Sequence, residues 1–369
     1  MNETIQNLMR EATRLTQSGN LKEATAVIQR ALGSARSAQM PPASALSPPS
    51  QTILDGCVLE AAPIREPQGE FAEGRHTDAS LTRHYKLYIP PGAVGAAGKN
   101  LPLLVMLHGC TQNPDDFAAG TGMNALAREQ GFYVLYPAQS ADANQQRCWN
   151  WFKHTHQSRG RGEAALLASM TLSIMQQHRI DPRRVYVAGL SAGGAMAANV
   201  AAAYPEIYAA AGVHSGLAVG AASNVSEALA AMRSGGKGCA KRSGVGDKAA
   251  DHARLARAVP TIVFHGERDH TVHPRNGEQV IGAVQGSASQ RVEHGVSSGG
   301  RRFTRTVYGE RNGIDSNDAG STVAEHWLVH GAGHAWSGGD VNGSYTDPAG
   351  PDASREMLRF FLAHNLPEN

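Results

Sequence analysis

The 369-residue chain contains no run of about 18 consecutive apolar residues, so the sequence offers no segment able to cross a membrane as a helix. Its charges nearly cancel. The 34 Lys and Arg against 32 Asp and Glu leave +2, too weak a field to recruit nucleic acid or an anionic bilayer. A basic stretch, Lys237 to Lys248, is rich in Gly and Ser and reads as a solvated loop. The four cysteines, Cys57, Cys110, Cys148 and Cys239, lack C-x-x-C spacing, which argues against a structural zinc site. The opening residues, Met1-Asn-Glu-Thr-Ile-Gln6, lack the basic start and apolar core of a secretory signal. A cytoplasmic location is therefore expected, or a secreted one if a leader has been removed, and a reducing cytoplasm favours free thiols.

What is present begins with residues 1–33. Ile5, Leu8, Ala12 and Leu15 recur at helical spacing, Ser18-Gly-Asn20 breaks it, and Leu21, Ala24, Ile28 and Leu32 resume it. The pattern predicts a small αα-hairpin, and with no second copy downstream a helical solenoid is excluded. Residues 34–52, rich in Ala, Ser and Pro, read as a linker. Residues 53–369 form the remaining domain. There, short apolar strands (Arg83–Ile89, Leu103–Leu107, Phe132–Tyr136, Arg184–Ala188, Tyr208–Val213, Thr261–Phe264, Ala324–Val329) are interspersed with helical stretches such as Ala164–Gln177 and Asp352–His364. That alternation predicts an α/β fold with a mostly parallel sheet covered by helices on both faces. Residues 216–258, full of Gly, Ala and Ser, are expected to form loops or a cap beside a site.

Chemistry concentrates at Gly189-Leu-Ser191-Ala-Gly193-Gly194. A β-branched run ends at Gly189 and a small-residue helix pattern starts after Ser191, the strand–turn–helix context of a nucleophile elbow. So tight a turn needs residues without side chains two before and two after the serine, which Gly189 and Gly193 supply. A serine there needs a histidine base and a carboxylate that orients it, in the chain order Ser, acid, His. Asp269 lies just past the strand Thr261–Phe264, with Glu267 its nearest competitor and Asp315, Asp318 and Asp340 more remote. For the base, His326, His330 and His334 are spaced by four, as on a metal-binding helix. Gly331 and Gly333 break that helix, however, and no carboxylate stands at ligand spacing. Read as strand then loop, the segment puts His334 on the loop as the base. His270 and His273 read as pocket-shaping loop residues. An oxyanion needs two amide donors. Ala192 N–H follows the nucleophile directly, and Cys110 N–H lies in the loop Leu107-His-Gly-Cys-Thr-Gln112, where Gly109 permits close approach.

Four segments, Leu107–Gln112, Cys148-Trp-Asn-Trp-Phe152, Gly189–Met196 and Gly333-His-Ala-Trp336, together resemble the polyhydroxybutyrate depolymerase family of esterases, and the likeness runs from near residue 70 to the C-terminus. Within that family it is strongest to bacterial intracellular members whose catalytic domain is of the extracellular type. The resemblance implies an α/β-hydrolase fold, a Ser191–Asp269–His334 triad, and oxyanion donors at Ala192 and Cys110. It also implies a polyester substrate, no cofactor and no metal. A Cys110–Cys148 disulfide fixing the oxyanion loop is implied by secreted relatives, against the expectation for a reducing compartment. Trp149, Trp151 and Trp336 are expected to line the ester cleft. The hairpin at 1–33 is left three partners: a polyhydroxybutyrate granule surface, the hydrolase domain or a second subunit. Feruloyl and acetylxylan esterases share the triad and form the rival reading. A non-catalytic interaction protein, the reading of another class, is opposed by the intact Ser, Asp, His and elbow glycines.

Overall fold

A computed structural model describes residues 68–79, 81–93, 100–236, 258–285, 288–309 and 322–368. The hairpin expected at 1–33, the linker at 34–52, the basic stretch 237–248, Cys57, Cys239, Asp315 and Asp318 lie outside the described residues. Those described belong to one compact unit, Arg65–Asn369.

In chain order the strands of the main sheet are β1 (Glu70–Asp78), β2 (Leu81–Ile89), β3 (Leu101–Leu107), β4 (Tyr133–Pro137), β5 (Ile180–Leu190), β6 (Ala210–His214), β7 (Thr261–Gly266), β8 (Ser289–Val296), β9 (Arg302–Gly309) and β10 (Thr322–Val329). They form one sheet in the order β1-β2-β4-β3-β5-β6-β7-β10-β9-β8. The six central strands from β4 to β10 pair in parallel, and the two outer strands at each end pair antiparallel. The helices are α1 (Pro114–Thr121), α2 (Met123–Gln130), α3 (Gly162–Gln177), α4 (Ala192–Ala203), α5 (Val225–Ser234), α6 (Arg275–Val284) and α7 (Ala353–Leu362). None among the described residues is long and apolar enough to cross a membrane.

The central strands read as unbroken apolar runs because both faces are covered. Successive side chains alternate between two cores. Leu103, Val105, Leu107, Val185 and Val187 pack with Leu167, Met170 and Val200 from α3 and α4. Leu104, Met106, Tyr186, Ile262 and Phe264 meet Phe117, Met357, Phe360 and Phe361 from α1 and α7. Each such side chain contributes about 1.5–3 kcal/mol when fully buried.

Three strands absent from the sequence reading, β1, β8 and β9, are the antiparallel additions at the edges. Along β8 every second residue is exposed, so it carries little apolar signal to detect. β5 begins four residues earlier than expected. Pro182 falls within it because the pairing with β3 shifts register between Leu101 and Leu103, where a missing N–H is tolerated. The stretch 216–258 is not all loop. Asn224 accepts a hydrogen bond from Glu227 N–H and caps α5.

One buried charge ties the β9–β10 edge to α7. Glu325 on β10 accepts from Arg305 (2.8 and 3.0 Å), Arg359 (2.7 and 2.9 Å) and Trp327 Nε1 (3.0 Å). Burial alone would raise its pKa, but the two guanidinium groups hold it below the usual carboxylate value. A lowered folded pKa means stability present at neutral pH and lost as pH falls through the carboxylate range. Glu325→Gln should therefore cost about 1–3 kcal/mol in denaturant unfolding at neutral pH, and the deficit should shrink as the pH is taken into that range.

Candidate active site

The parallel strands end along one edge of the sheet, and the site is built from the loops that leave them. β5 turns directly into α4 at Ser191, whose dihedrals, φ 57° and ψ −120°, are rare for any residue with a side chain. The turn is possible because nothing projects from the residues around it. A Cβ on Gly189 would meet Leu107 O at 2.6 Å, and one on Gly193 would meet His108 O at 2.6 Å. Ser191 N–H donates to His214 O (2.8 Å), which fixes the turn against the end of β6. The serine therefore stands at the N-terminus of α4, where the helix dipole favours developing negative charge.

Asp269 follows β7 and His334 follows β10. The second loop folds back over the first: Glu267 N–H donates to Val329 O (2.9 Å) and Arg268 N–H to Ala332 O (2.8 Å). This crossing brings His334 Nδ1 to 2.7 Å from Asp269 Oδ2. The other carboxylate oxygen accepts the N–H groups of Thr271 (2.9 Å) and Val272 (2.8 Å), and buried His265 Nε2 lies 3.5 Å from Oδ2. Burial by itself would raise the carboxyl, but the donors from His265, His334 and Val272 hold it far below the ordinary carboxylate range. Asp269 is thus ionised and can only accept. The proton shared with it belongs to His334 Nδ1, which leaves Nε2 as the basic nitrogen.

The rival assignments separate cleanly in space. Glu267 faces away from His334, with His330 Nδ1 at 3.3 Å and Gly331 N–H at 2.9 Å. His330 also contacts Thr304 Oγ1 at 2.9 Å. His326 lies half-buried on β10, so the three histidines spaced by four point at three different surroundings. Asp340 accepts from Asn342 within its own loop. His270 and His273 are exposed, and His273 Nδ1 accepts from Arg275 N–H.

The loop after β3 lies against the Ser191 turn: a Cβ on Gly109 would sit 3.6 Å from Ser191 Cβ. Gly109 N–H is taken by Gln112 Oε1 (2.9 Å) and Thr111 N–H by Gln146 O (2.6 Å). The N–H groups of Cys110 and Ala192 meet no acceptor among the described residues. Cys110 is joined to Cys148 by a disulfide. Beneath the loop, His108 Nδ1–H donates to Gly109 O (2.7 Å) while Nε2 accepts Gln139 N–H (3.1 Å). Burial lowers its pKa to about 4, so the ring is neutral in that role. Gln139 in turn donates to Cys148 O (3.0 Å) and to buried Glu163 (2.6 Å), which also accepts from Asn150 N–H (2.7 Å) and Nδ2 (2.8 Å).

The tryptophans require a correction. Trp149, Trp151 and Trp336, expected along the cleft, are 0%, 5% and 1% exposed and sit inside the two cores. Trp149 packs its ring against His108, and Trp336 donates to Ser354 Oγ (3.0 Å) and stacks on His214. They support the site from behind. Sequence reasoning also missed the residues that hold the loops: Glu163, Gln139, His214 and His265. Only His265 carried a sequence signal, as the strand-end histidine four residues before Asp269.

With this geometry in hand, comparison with known proteins is informative. The family profile described as Esterase PHB depolymerase matches residues 83–303. Poly(3-hydroxyalkanoate) depolymerase C of Paucimonas lemoignei is 33% identical over 244 residues, 64% of this chain and 55% of that protein. Poly(3-hydroxybutyrate) depolymerase of Ralstonia pickettii is 28% identical, covering 81% and 61%. Feruloyl esterase B of Thermothelomyces thermophilus is 30% identical, covering 57% and 74%. The chain thus spans little more than half the length of the two depolymerases. Among solved structures, an acetyl xylan esterase from Aspergillus awamori superposes with a TM-score of 0.57 at 18% identity, over 79% of this chain and 99% of that one, a likeness of fold.

Asp269→Asn should leave the imidazole in the wrong tautomer and lower kcat by about 10⁴, whereas Glu267→Gln should leave kcat nearly unchanged. Equal losses in steady-state kinetics of the two variants would overturn the assignment. Because the folded Asp269 pKa is depressed, its stabilising share is present above the unfolded carboxylate value and is lost progressively as pH falls from there toward the much lower folded value. The Asn variant should accordingly lose part of the acid limb of the stability–pH curve.

Proposed function

Because the chain belongs to the esterase PHB depolymerase family, we propose that it is a serine carboxylic ester hydrolase that cleaves poly(3-hydroxybutyrate), or a related polyester, to short hydroxyalkanoate oligomers. The observation that carries this reading is the part-buried His334–Asp269 contact of 2.7 Å, on loops leaving the same sheet edge as the strained Ser191 turn.

Ser191 Oγ attacks the ester carbonyl as His334 Nε2 takes its proton, and ionised Asp269 stabilises the imidazolium that forms. The oxyanion is received by the N–H groups of Cys110 and Ala192, each such donor contributing roughly 10²–10³ in rate. His334 then protonates the departing alcohol, and water repeats the sequence on the acyl-enzyme. Neither step calls on a metal or an organic cofactor. The polymer substrate is supported by the two depolymerase relatives. A small-ester or plant-polymer esterase is the second reading, supported by the feruloyl esterase relative.

The same proposal has the enzyme acting in the cytoplasm on granule-bound polymer. The amphipathic spacing of residues 1–33 supports contact with the granule surface.

Ser191→Ala should lower kcat by about 10⁴–10⁶ with the fold intact by circular dichroism. Loss of turbidity from amorphous polymer granules, set beside hydrolysis of feruloyl esters, decides the substrate. Faster feruloyl turnover with stable granules would exchange the first reading for the second. Deleting residues 1–50 should leave soluble-ester rates unchanged and slow granule clearance, and unchanged clearance would remove the granule-docking reading.

A further inference from the structure

We infer that His214 is a positioning residue that sets the distance between the nucleophile turn and the loop carrying the base; the inference rests on the serine-esterase reading. His214 ends β6, between the strand that delivers Ser191 and the strand that delivers Asp269, and is 1% exposed. Its two ends serve different partners. The carbonyl accepts Ser191 N–H at 2.8 Å. The ring Nε2 lies 2.9 Å from the backbone N of Ser337, three residues beyond His334.

That second contact defines the ring chemically. A backbone N–H can only donate, so Nε2 must present its lone pair, and the ring proton belongs on Nδ1. Nδ1 lies 3.2 Å from Ser215 Oγ. A doubly protonated ring could not accept from Ser337. Burial keeps the ring neutral, lowering its pKa to about 3.

The ring is also clamped in its plane. It stacks on Phe264 at 5.8 Å and 17°, and on Trp336 at 5.0 Å and 26°. Ser337, the donor, is itself tied down through its hydroxyl to Pro351 O at 2.7 Å. The path from Ser191 N–H to Ser337 N–H therefore runs through one residue whose only free torsions are fixed by aromatic neighbours. Nucleophile and base sit on loops that otherwise leave the sheet two strands or more apart, and this path joins them. A misplacement of about 1 Å between reacting groups costs on the order of a hundredfold in rate.

Three variants separate this role from packing. His214→Gln places an amide oxygen near the position of Nε2 and keeps an acceptor for Ser337. His214→Phe keeps the stack without the acceptor. His214→Asn stays polar but stops short of Ser337, so the comparison does not depend on tolerance of a new ring. Each is assayed for kcat and KM on a short-chain nitrophenyl ester and for the rate of Ser191 inactivation by an organophosphorus reagent. Thermal midpoints are measured alongside. The expected result is a kcat about a hundredfold lower in the Phe and Asn variants, with KM nearly constant and inactivation slowed in parallel. The Gln variant should recover most of both rates. Wild-type kcat in the Phe or Asn variant, or Gln as slow as both, would overturn the inference. A wild-type enzyme inert to ester and reagent alike would overturn the esterase reading and this inference with it.

Discussion

Ser191 occupies dihedrals that few L-residues tolerate, and much of the surrounding structure exists to hold it there. Strain of this kind costs roughly 1–3 kcal/mol and persists only where neighbours over-determine it. Gly189 and Gly193 leave room for the backbone of the β3 loop, His214 O satisfies the serine N–H, and Ser191 O accepts the Ala195 N–H as α4 begins. Relaxing the turn would mean breaking these contacts together. The close approach of Leu107 and His108 carbonyls also explains why the β3 loop, and with it Cys110, ends up beside Ser191.

Much of this was legible in the sequence because the determinants are local. The elbow is a string of glycines around one serine. The central strands are apolar runs, and Asp269 and His334 each follow one of them. Where legibility failed, the cause was distance or ambiguity. Glu163 reads as an ordinary residue in the first turn of a helix, yet it is the buried acceptor for Gln139 and Asn150, whose positions in the chain say nothing of their meeting. The tryptophans of the Cys148–Phe152 segment look equally suited to a cleft wall and to a core. Only packing decides, and Trp149 against His108 decides for the core. The edge strands β1, β8 and β9 escaped because half-exposed antiparallel strands lack the long apolar runs that mark the centre of the sheet.

Two buried histidines behave in one way and three buried carboxylates in the other. His108 and His214 are depressed by desolvation, to about 4 and 3, so each is a neutral, directional hydrogen-bonding group at physiological pH. Asp269, Glu163 and Glu325 are surrounded by donors and remain ionised in spite of burial. The frame of the site is thus assembled from fixed dipoles and compensated anions. That preorganisation suits the reaction proposed above, in which charge would appear only transiently on Oγ, the imidazole and the ester oxygen.

The Cys110–Cys148 bond shares its task with several weaker links between the same two stretches of chain. Thr111 N–H reaches Gln146 O, Gln139 grips Cys148 O, and His108 is tied to Gln139 N–H. A covalent bridge laid parallel to such hydrogen bonds is a redundant member, as in a truss with more struts than its load requires. The loop after β3 is also anchored by those links and by Gln112, whose side chain takes Gly109 N–H. The placement of that loop is thereby not entrusted to sulfur alone.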